Sequence, residues 1–274
     1  MKFCDCIIGS LFVNGTLIKK IYLNNSEQII LFLVSLFANT FSAFSGGGAG
    51  LIQFPILLFL GLSFGVALAT HKIASIALGF GAALRYLSDS VLEQKFVALM
   101  ILFGLPGVIL GASVILLVPD RFAEIALGVL IGGLSIYSIF KSELGQNYLP
   151  KNRDRTGLLL GGIVLFFLGV LNGSLTSGTG LFVTLWLVLW FGMDYQRAVA
   201  YTLIMVGFFW NGSGAITLGL LSEIRWDWLP ALILGSFIGG YLGSHMALRF
   251  GSAWIKRAFE AVTLLISIRL LLGS

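Results

Sequence analysis

His71 and Lys72 follow the apolar run FGVALAT and lie well inside a segment of membrane-spanning length, about residues 65–87. An ammonium group near the middle of a bilayer is unfavourable by about 2.5–3.5 kcal/mol on insertion scales, so it normally faces a cavity or a partner. We therefore predict that Lys72 attracts an anion, with snorkelling to the membrane interface as the alternative. His71 is a candidate for proton coupling, although a neutral hydrogen-bonding role is the favoured interpretation.

Two glycine-rich stretches, SGGGAG at 45–50 and TSGTG at 176–180, interrupt long apolar runs. A helix that restarts after such a break exposes unpaired N–H groups at the positive end of its dipole, and glycine lets the backbone approach an anion closely. Gln53 and Asn211 would add side-chain donors. The predicted anion site therefore comprises Gly46, Gly47, Gly48, Gly50, Gln53, His71, Lys72, Ser177, Gly178, Thr179, Gly180 and Asn211.

The alternative for these glycines is tight helix packing, which we favour for Gly235, Gly239 and Gly243 because they are spaced by four. SGGGAGLIQ lacks the Lys-Ser/Thr of a phosphate loop, and the G-x-G-x-x-G pattern does not fit it. A nucleotide site is therefore not expected.

Catalytic or metal-binding groups do not emerge from the sequence. The acidic residues considered fall in short loops and do not pair within predicted spans: Asp89, Glu93, Asp120, Asp194, Glu223 and Asp227. A membrane-embedded enzyme or assembly subunit would need paired acids, histidines or cysteines within the membrane. We therefore expect no enzyme activity, no cofactor and no metal.

The composition identifies the class of protein. Of the 274 residues, 58% are hydrophobic and 11% are charged, and the mean hydropathy is +0.99, whereas soluble domains contain about 25% charged residues. The net charge is +5, and the charged residues cluster between apolar segments. This pattern indicates lipid headgroups rather than nucleic acid as the partner. A multi-pass protein of the cytoplasmic membrane is predicted.

Two uncharged runs, 28–70 and 156–193, are too long for single straight membrane helices. The first would reach about 60 Å as one helix, twice the hydrocarbon core of about 30 Å. Each run must therefore break or fold back, at 45–50 and at 172–180. Shorter segments of spanning length follow at about 65–87, 96–118, 122–140, 198–220, 229–250 and 254–272.

The two halves of the chain resemble each other, because Gly50, Gly81 and Gly111 align with Gly180, Gly212 and Gly243. The predicted fold is an all-α polytopic membrane protein with about eight transmembrane helices in two homologous four-helix repeats, each containing a glycine-broken helix. The domains would be an N-terminal tail (1–27), a first repeat (28–140), a basic cytoplasmic linker (141–156) and a second repeat (157–274). If each broken segment crosses once, Lys19 and Lys20 share the cytoplasmic side with the linker.

The N-terminal tail carries Cys4 and Cys6, which we expect to be free thiols because a disulfide between positions i and i+2 is strained. Its apolar run is short and lacks a small-residue cleavage site, so a signal peptide is not predicted.

The stretch GGGAGLIQFP, the run ALATHK after it and the degenerate second copy resemble the sulfite exporter TauE/SafE family over about residues 30–272. The resemblance implies an eight-helix transporter of small anions, typically sulfite or organosulfonates, built from two four-helix repeats. Family members carry Thr-Asn/His-Lys or Thr-Ser where this chain has Thr70, His71 and Lys72. The second break departs from the family's usual glycine triplet.

The predicted function is therefore secondary transport, in the export direction, of small sulfur-containing oxyanions by rearrangement of the two halves. The alternatives are an anion channel or a transporter of another small anion such as a carboxylate. Expected partners are the anionic substrate, a coupling proton or sodium ion, and the lipid bilayer, with no nucleic acid. The sequence predicts no oligomeric state.

Overall fold

The computed structural model of the protein describes residues 12–13, 16–17, 25–86, 92–114, 129, 132–133, 135–141, 143–175 and 178–272. A small antiparallel hairpin pairs β1 (Phe12–Val13) with β2 (Thr16–Leu17). The helices are α1 (Asn25–Ser45), α2 (Ala49–Phe59), α3 (Phe64–Tyr86), α4 (Gln94–Val114), α5 (Arg155–Leu175), α6 (Thr179–Phe191), α7 (Tyr195–Leu221), α8 (Leu229–Phe250) and α9 (Ser252–Leu272). Helices α4 and α7 contain π-helical segments at Met100–Gly104 and Thr202–Trp210, and residues 135–140 are also helical.

Six of the described helices are long and apolar enough to cross a membrane: α1, α3, α4, α5, α7 and α8. Helices α2 and α6 are apolar but short. Helix α9 is as long as the six but carries Lys256, Arg257, Glu260 and Arg269, and most of the predicted segment 122–140 lies outside the described residues. The described residues therefore do not confirm the predicted total of eight transmembrane helices.

Both predicted helix breaks are present. Helix α1 ends at Ser45, and the next three residues adopt positive φ angles of 92° at Gly46, 145° at Gly47 and 101° at Gly48. Residues with a side chain rarely adopt such positive φ angles, so glycine is required here. The second break ends at Gly178, with φ 78°, immediately before α6.

Each short helix turns back toward the end of the molecule where its preceding long helix begins. Leu57 of α2 is buried in the same apolar cluster as Leu31, near the start of α1, and Trp228. In the second half, Trp190 Nε1 of α6 donates to the carbonyl of Gly157, near the start of α5, at 2.9 Å. The pairs α1–α2 and α5–α6 are therefore re-entrant, and the assumption that each broken segment crosses once is wrong.

This turn changes the predicted sidedness of the chain. Helix α7 has 27 residues and is therefore about 40 Å long. Its start contacts the linker, where the Tyr195 N–H donates to the Gly145 carbonyl at 2.8 Å. Its far end leads to the 222–228 loop, where the Asp227 carbonyl accepts from Gln28 Nε2 of α1 at 2.9 Å.

The start of α1 thus lies at the opposite end of the molecule from the linker. The prediction that the N-terminal tail and the linker lie on the same side is therefore wrong for the start of α1. Lys19 and Lys20 themselves, like Cys4 and Cys6, lie outside the described residues.

Close packing between long helices fixes the frame around the breaks. At Gly235 and Gly239 of α8, an added Cβ would lie 2.7 Å from the Phe32 and Leu36 carbonyl oxygens of α1. At Gly107 and Gly111 of α4 it would overlap the backbone of α5. The predicted packing role of the α8 glycines is confirmed, because only glycine allows this approach.

Candidate anion-binding cavity

A cavity of about 40 Å³ lies between the two breaks and the middle of α3 and α7. Its lining combines glycine backbone with hydroxyl, amide and imidazole groups, and none of these described residues is acidic. The lining residues are Ser42, Gly47, Gly48, Ala49, Gly50, His71, Ser75, Leu78, Asn172, Thr179, Gly180, Thr202, Leu203, Val206, Gly207 and Asn211.

The first residues of α2 and α6, Ala49 and Thr179, both line this cavity. The N–H groups of Gly48 and Ala49 donate no hydrogen bond within the described part of the chain. The N-terminal ends of the two short helices therefore bring their partial positive charge to one small space. Such paired ends favour an anion.

The two breaks also hold each other in place. A Cβ added to Gly47 would lie 2.7 Å from the Leu181 nitrogen, so a side chain there would push the short helices apart. Thr184 Oγ1 lies 2.7 Å from the Gly46 carbonyl oxygen and 2.8 Å from Thr202 Oγ1, and it donates to either. The first break is thereby connected to α6 and α7.

Lys72 braces the cavity wall from behind. Its side chain is fully buried, and Nζ donates to the Asn172 carbonyl at 2.8 Å and to the side-chain oxygens of Asn172 and Asn211, each at 3.2 Å. Asn172 Nδ2 in turn donates to Thr179 Oγ1 at 2.9 Å. Asn172 and Asn211 line the cavity and Lys72 does not, so its charge lies one residue behind the wall.

His71 lines the cavity and belongs to a buried polar network. Its Nδ1 lies 3.1 Å from Gln53 Oε1, and its Nε2 lies 3.3 Å from Ser75 Oγ. Gln53 continues the network to Ser35 of α1, because Gln53 Nε2 donates to Ser35 Oγ at 3.2 Å. Ser35 lies 3.0 Å from Ser236 Oγ of α8. The network joins four helices around one imidazole.

The structure places the predicted site residues in three groups. Seven line the cavity: Gly47, Gly48, Gly50, His71, Thr179, Gly180 and Asn211. Four lie behind or beside its wall: Gly46, Gln53, Lys72 and Gly178. Ser177 lies outside the described residues.

Several lining residues were not in the predicted site, among them Ser42, Ser75 and Thr202. Ser75 follows His71 by four positions, and helical spacing places such residues on one face, so this residue could have been found from the sequence. Thr202 begins the π-helical segment of α7, which no sequence signal predicted.

Charged groups also gather at the end of the molecule that carries the linker. Burial would raise the pKa of Glu93, but hydrogen bonds from Tyr148, Lys95 and Arg153 outweigh this and lower it to about 2. In α9, Lys256 pairs with Glu260, an acidic residue that the sequence analysis left out. Lys256 Nζ also donates to the Ser138 carbonyl at 2.8 Å.

The described residues contain no group of three His, Cys, Asp or Glu side chains that could hold a metal ion. The polar groups that line the cavity are backbone N–H groups, amides, hydroxyls and one imidazole.

The fold and the cavity define a multi-pass helical membrane protein built around a small polar site. The model of the family described as "Sulfite exporter TauE/SafE" matches residues 31–270. The chain belongs to this family, and membrane transport is its function in the broad sense.

Curated relatives carry matching names. A "Probable membrane transporter protein" of Haemophilus influenzae is 28% identical, over 83% of this chain and 88% of that protein. The "Probable membrane transporter protein YfcA" of Escherichia coli is 25% identical, over 89% of this chain and 90% of that protein. The "Probable membrane transporter protein YunE" of Bacillus subtilis is 22% identical, over 89% and 97%. No solved structure matches the chain.

Proposed function

We propose that the protein is a secondary transporter that exports small sulfur-containing oxyanions, such as sulfite or organosulfonates, and binds them in the cavity described above. The observation that carries the proposal is the meeting of two short-helix N-terminal ends at one cavity without an acidic lining residue. Backbone N–H groups of Gly48 and Ala49, the amides of Asn172 and Asn211 and the hydroxyl of Thr179 would donate to the anion. The family name supports sulfite as the first substrate to test.

The size of the cavity supports a small substrate. A buried water molecule needs about 10–15 Å³ of cavity volume, so 40 Å³ holds about three water-sized groups. An ion of four or five heavy atoms, such as sulfite or methanesulfonate, matches this space, and a larger sulfonate would need the halves to move apart.

The packing of the helices supports two related halves. Helix α1 packs on α8, α4 packs on α5, and α3 packs on α7. In the predicted duplication, α1 corresponds to α5 and α4 to α8. The α1–α8 and α4–α5 contacts are therefore equivalent, and each joins one half to the other. With one re-entrant pair at the start of each half, the repeats would be inverted, and transporters with inverted repeats bind substrate at the repeat interface.

The test is anion binding to the purified protein, followed by transport in proteoliposomes. Sulfite, sulfate, thiosulfate, methanesulfonate and acetate are compared by the shift in melting temperature and by calorimetry. We expect sulfite or a sulfonate to bind and to be transported with saturable kinetics. If none of the oxyanions binds, the proposal is refuted. A single-channel current would show that the protein is an anion channel and not a carrier.

The charge of the site is tested by Asn211→Asp. The variant keeps an oxygen acceptor for Lys72 Nζ, now 3.2 Å from Asn211 Oδ1, but adds a negative charge to the wall. We expect the melting temperature to be kept and anion affinity to fall at least tenfold. Asn147→Asp, at an exposed position of the linker, is the matched control and should bind as the wild type does.

A further inference from the structure

We propose that the cavity binds a proton together with the anion, and that Nε2 of His71 is the atom that accepts it. This inference rests on the proposed function, because it concerns the same anion site. It adds to that function the co-transported ion.

The surrounding network sets which ring nitrogen is free. Gln53 Nε2 donates to Ser35 Oγ at 3.2 Å, so Gln53 Oε1 is the atom that faces the imidazole. An amide oxygen only accepts, so the ring nitrogen beside it, Nδ1, carries the hydrogen of neutral His71. Nε2 then has the free lone pair.

The partner of Nε2 serves both protonation states. Ser75 Oγ lies 3.3 Å from Nε2 and 2.9 Å from the His71 carbonyl oxygen. When Nε2 is unprotonated, the Ser75 hydroxyl can donate to it. When Nε2 is protonated, the hydroxyl can donate to the carbonyl and accept from Nε2. One rotation about a C–O bond therefore keeps the ring bonded in either state.

The charges around His71 make its protonation depend on the anion. Lys72 is the charged group beside it among the described residues, and all three of its N–H groups are engaged by oxygens of Asn172 and Asn211. The groups that approach from α1, α2 and α8 are neutral: Ser35, Asn39, Gln53, Phe54 and Ser236.

Three further charged groups, Glu223, Arg225 and Asp227, lie on the 222–228 loop, which contacts α3 beside His71. Glu223 is exposed and does not line the cavity. The Arg225 backbone N–H donates to Thr70 Oγ1, while its guanidinium pairs with Asp227 at 3.1 Å. The described wall thus offers no counter-charge to an imidazolium, and a buried charge without a partner is unfavourable. A bound anion would supply it, so a proton from water would enter with the anion and bind to Nε2.

The experiment uses methanesulfonate, which stays fully ionised between pH 5 and pH 8, so any proton taken up must bind to the protein. The purified wild-type protein, in weakly buffered detergent solution at about pH 7, is titrated with sodium methanesulfonate in the presence of a pH indicator. We expect uptake approaching one proton per anion bound, and affinity that falls as the pH rises, by up to tenfold per pH unit.

His71→Gln should abolish the proton uptake and make the affinity independent of pH. His245→Gln is the matched control, because the chain has two histidines and His245 is an exposed partner of Arg85. Uptake that persists in His71→Gln overturns the inference. If that variant does not fold, wild-type affinity that is constant with pH overturns it equally.

The two proposals fail in different ways. Anion binding by the wild type without proton uptake overturns the role of His71 and leaves the anion site intact. Absence of binding by methanesulfonate, sulfite and the other oxyanions overturns both proposals.

Discussion

At the scale of single residues, Lys72 has a different position from the one its charge alone predicted. An ammonium group has three donors, and the three oxygens of Asn172 and Asn211 engage all of them. An anion in the cavity would therefore meet the amide groups first and the Lys72 charge through them. Lys72 also joins α3 to α5 and α7, so charge and stability are coupled in one side chain.

Replacing Lys72 with Met should lower both the melting temperature and the anion affinity. The variant removes the Lys72 donor from three buried oxygens, and a buried oxygen left unsatisfied is unfavourable by about 1–3 kcal/mol. Thermal unfolding in detergent and calorimetric titration measure the two effects. Lys95→Met is the control, since Lys95 is 45% exposed and pairs with Glu93 at the surface. An unchanged melting temperature in Lys72→Met would contradict the bracing role.

At the scale of elements, the glycine break positions the N-terminal end of α2. Three successive positive φ angles turn the chain by a path that other residues rarely follow. The same turn leaves the Gly48 and Ala49 N–H groups without acceptors in the described residues and directs α2 away from the cavity. The same backbone conformation therefore makes the turn and supplies the N–H groups of the proposed anion site.

Gly48→Ala should reduce anion binding by at least tenfold, because a side chain at φ 101° strains the turn and adds a methyl group beside Leu51 at 3.2 Å. Gly251→Ala is a matched control: Gly251 also has positive φ, 76°, but open space around the added Cβ. Both variants should lose some thermal stability, and only the first should lose affinity. Equal affinity in the two variants would show that the break serves packing alone.

At the scale of the whole molecule, two re-entrant pairs place the start of α1 and the linker at opposite ends. The 222–228 loop lies at the α1 end, since Asp227 accepts from Gln28. The positive-inside rule predicts that the basic linker lies on the cytoplasmic side. The 222–228 loop should then face the outside.

Single cysteines at Lys151 and Trp226 test this arrangement in a background with Cys4 and Cys6 replaced by Ser. Trp226 is 67% exposed, and Lys151 is exposed in the linker. A membrane-impermeant maleimide should label Trp226→Cys in intact cells, and Lys151→Cys only after permeabilisation. Labelling of both positions from one side would contradict the opposed ends.

The sequence by itself determined the membrane class and the places where the helices break. An uncharged run of twice the bilayer thickness cannot be one straight span, and consecutive glycines mark where it stops. The same local signals identified seven of the residues that line the cavity, because glycines and polar side chains stand out in an apolar chain.

The direction in which the short helices turn, and the groups that contact His71 and Lys72, depend on long-range packing. Those contacts join residues far apart in sequence, such as Lys72 and Asn172, 100 positions apart. Hydropathy and residue spacing report local structure and do not indicate which distant residues come into contact. Whether a broken segment crosses or returns depends on the surface that buries its second half, and for α2 that surface is formed by α1, α3 and the 222–228 loop.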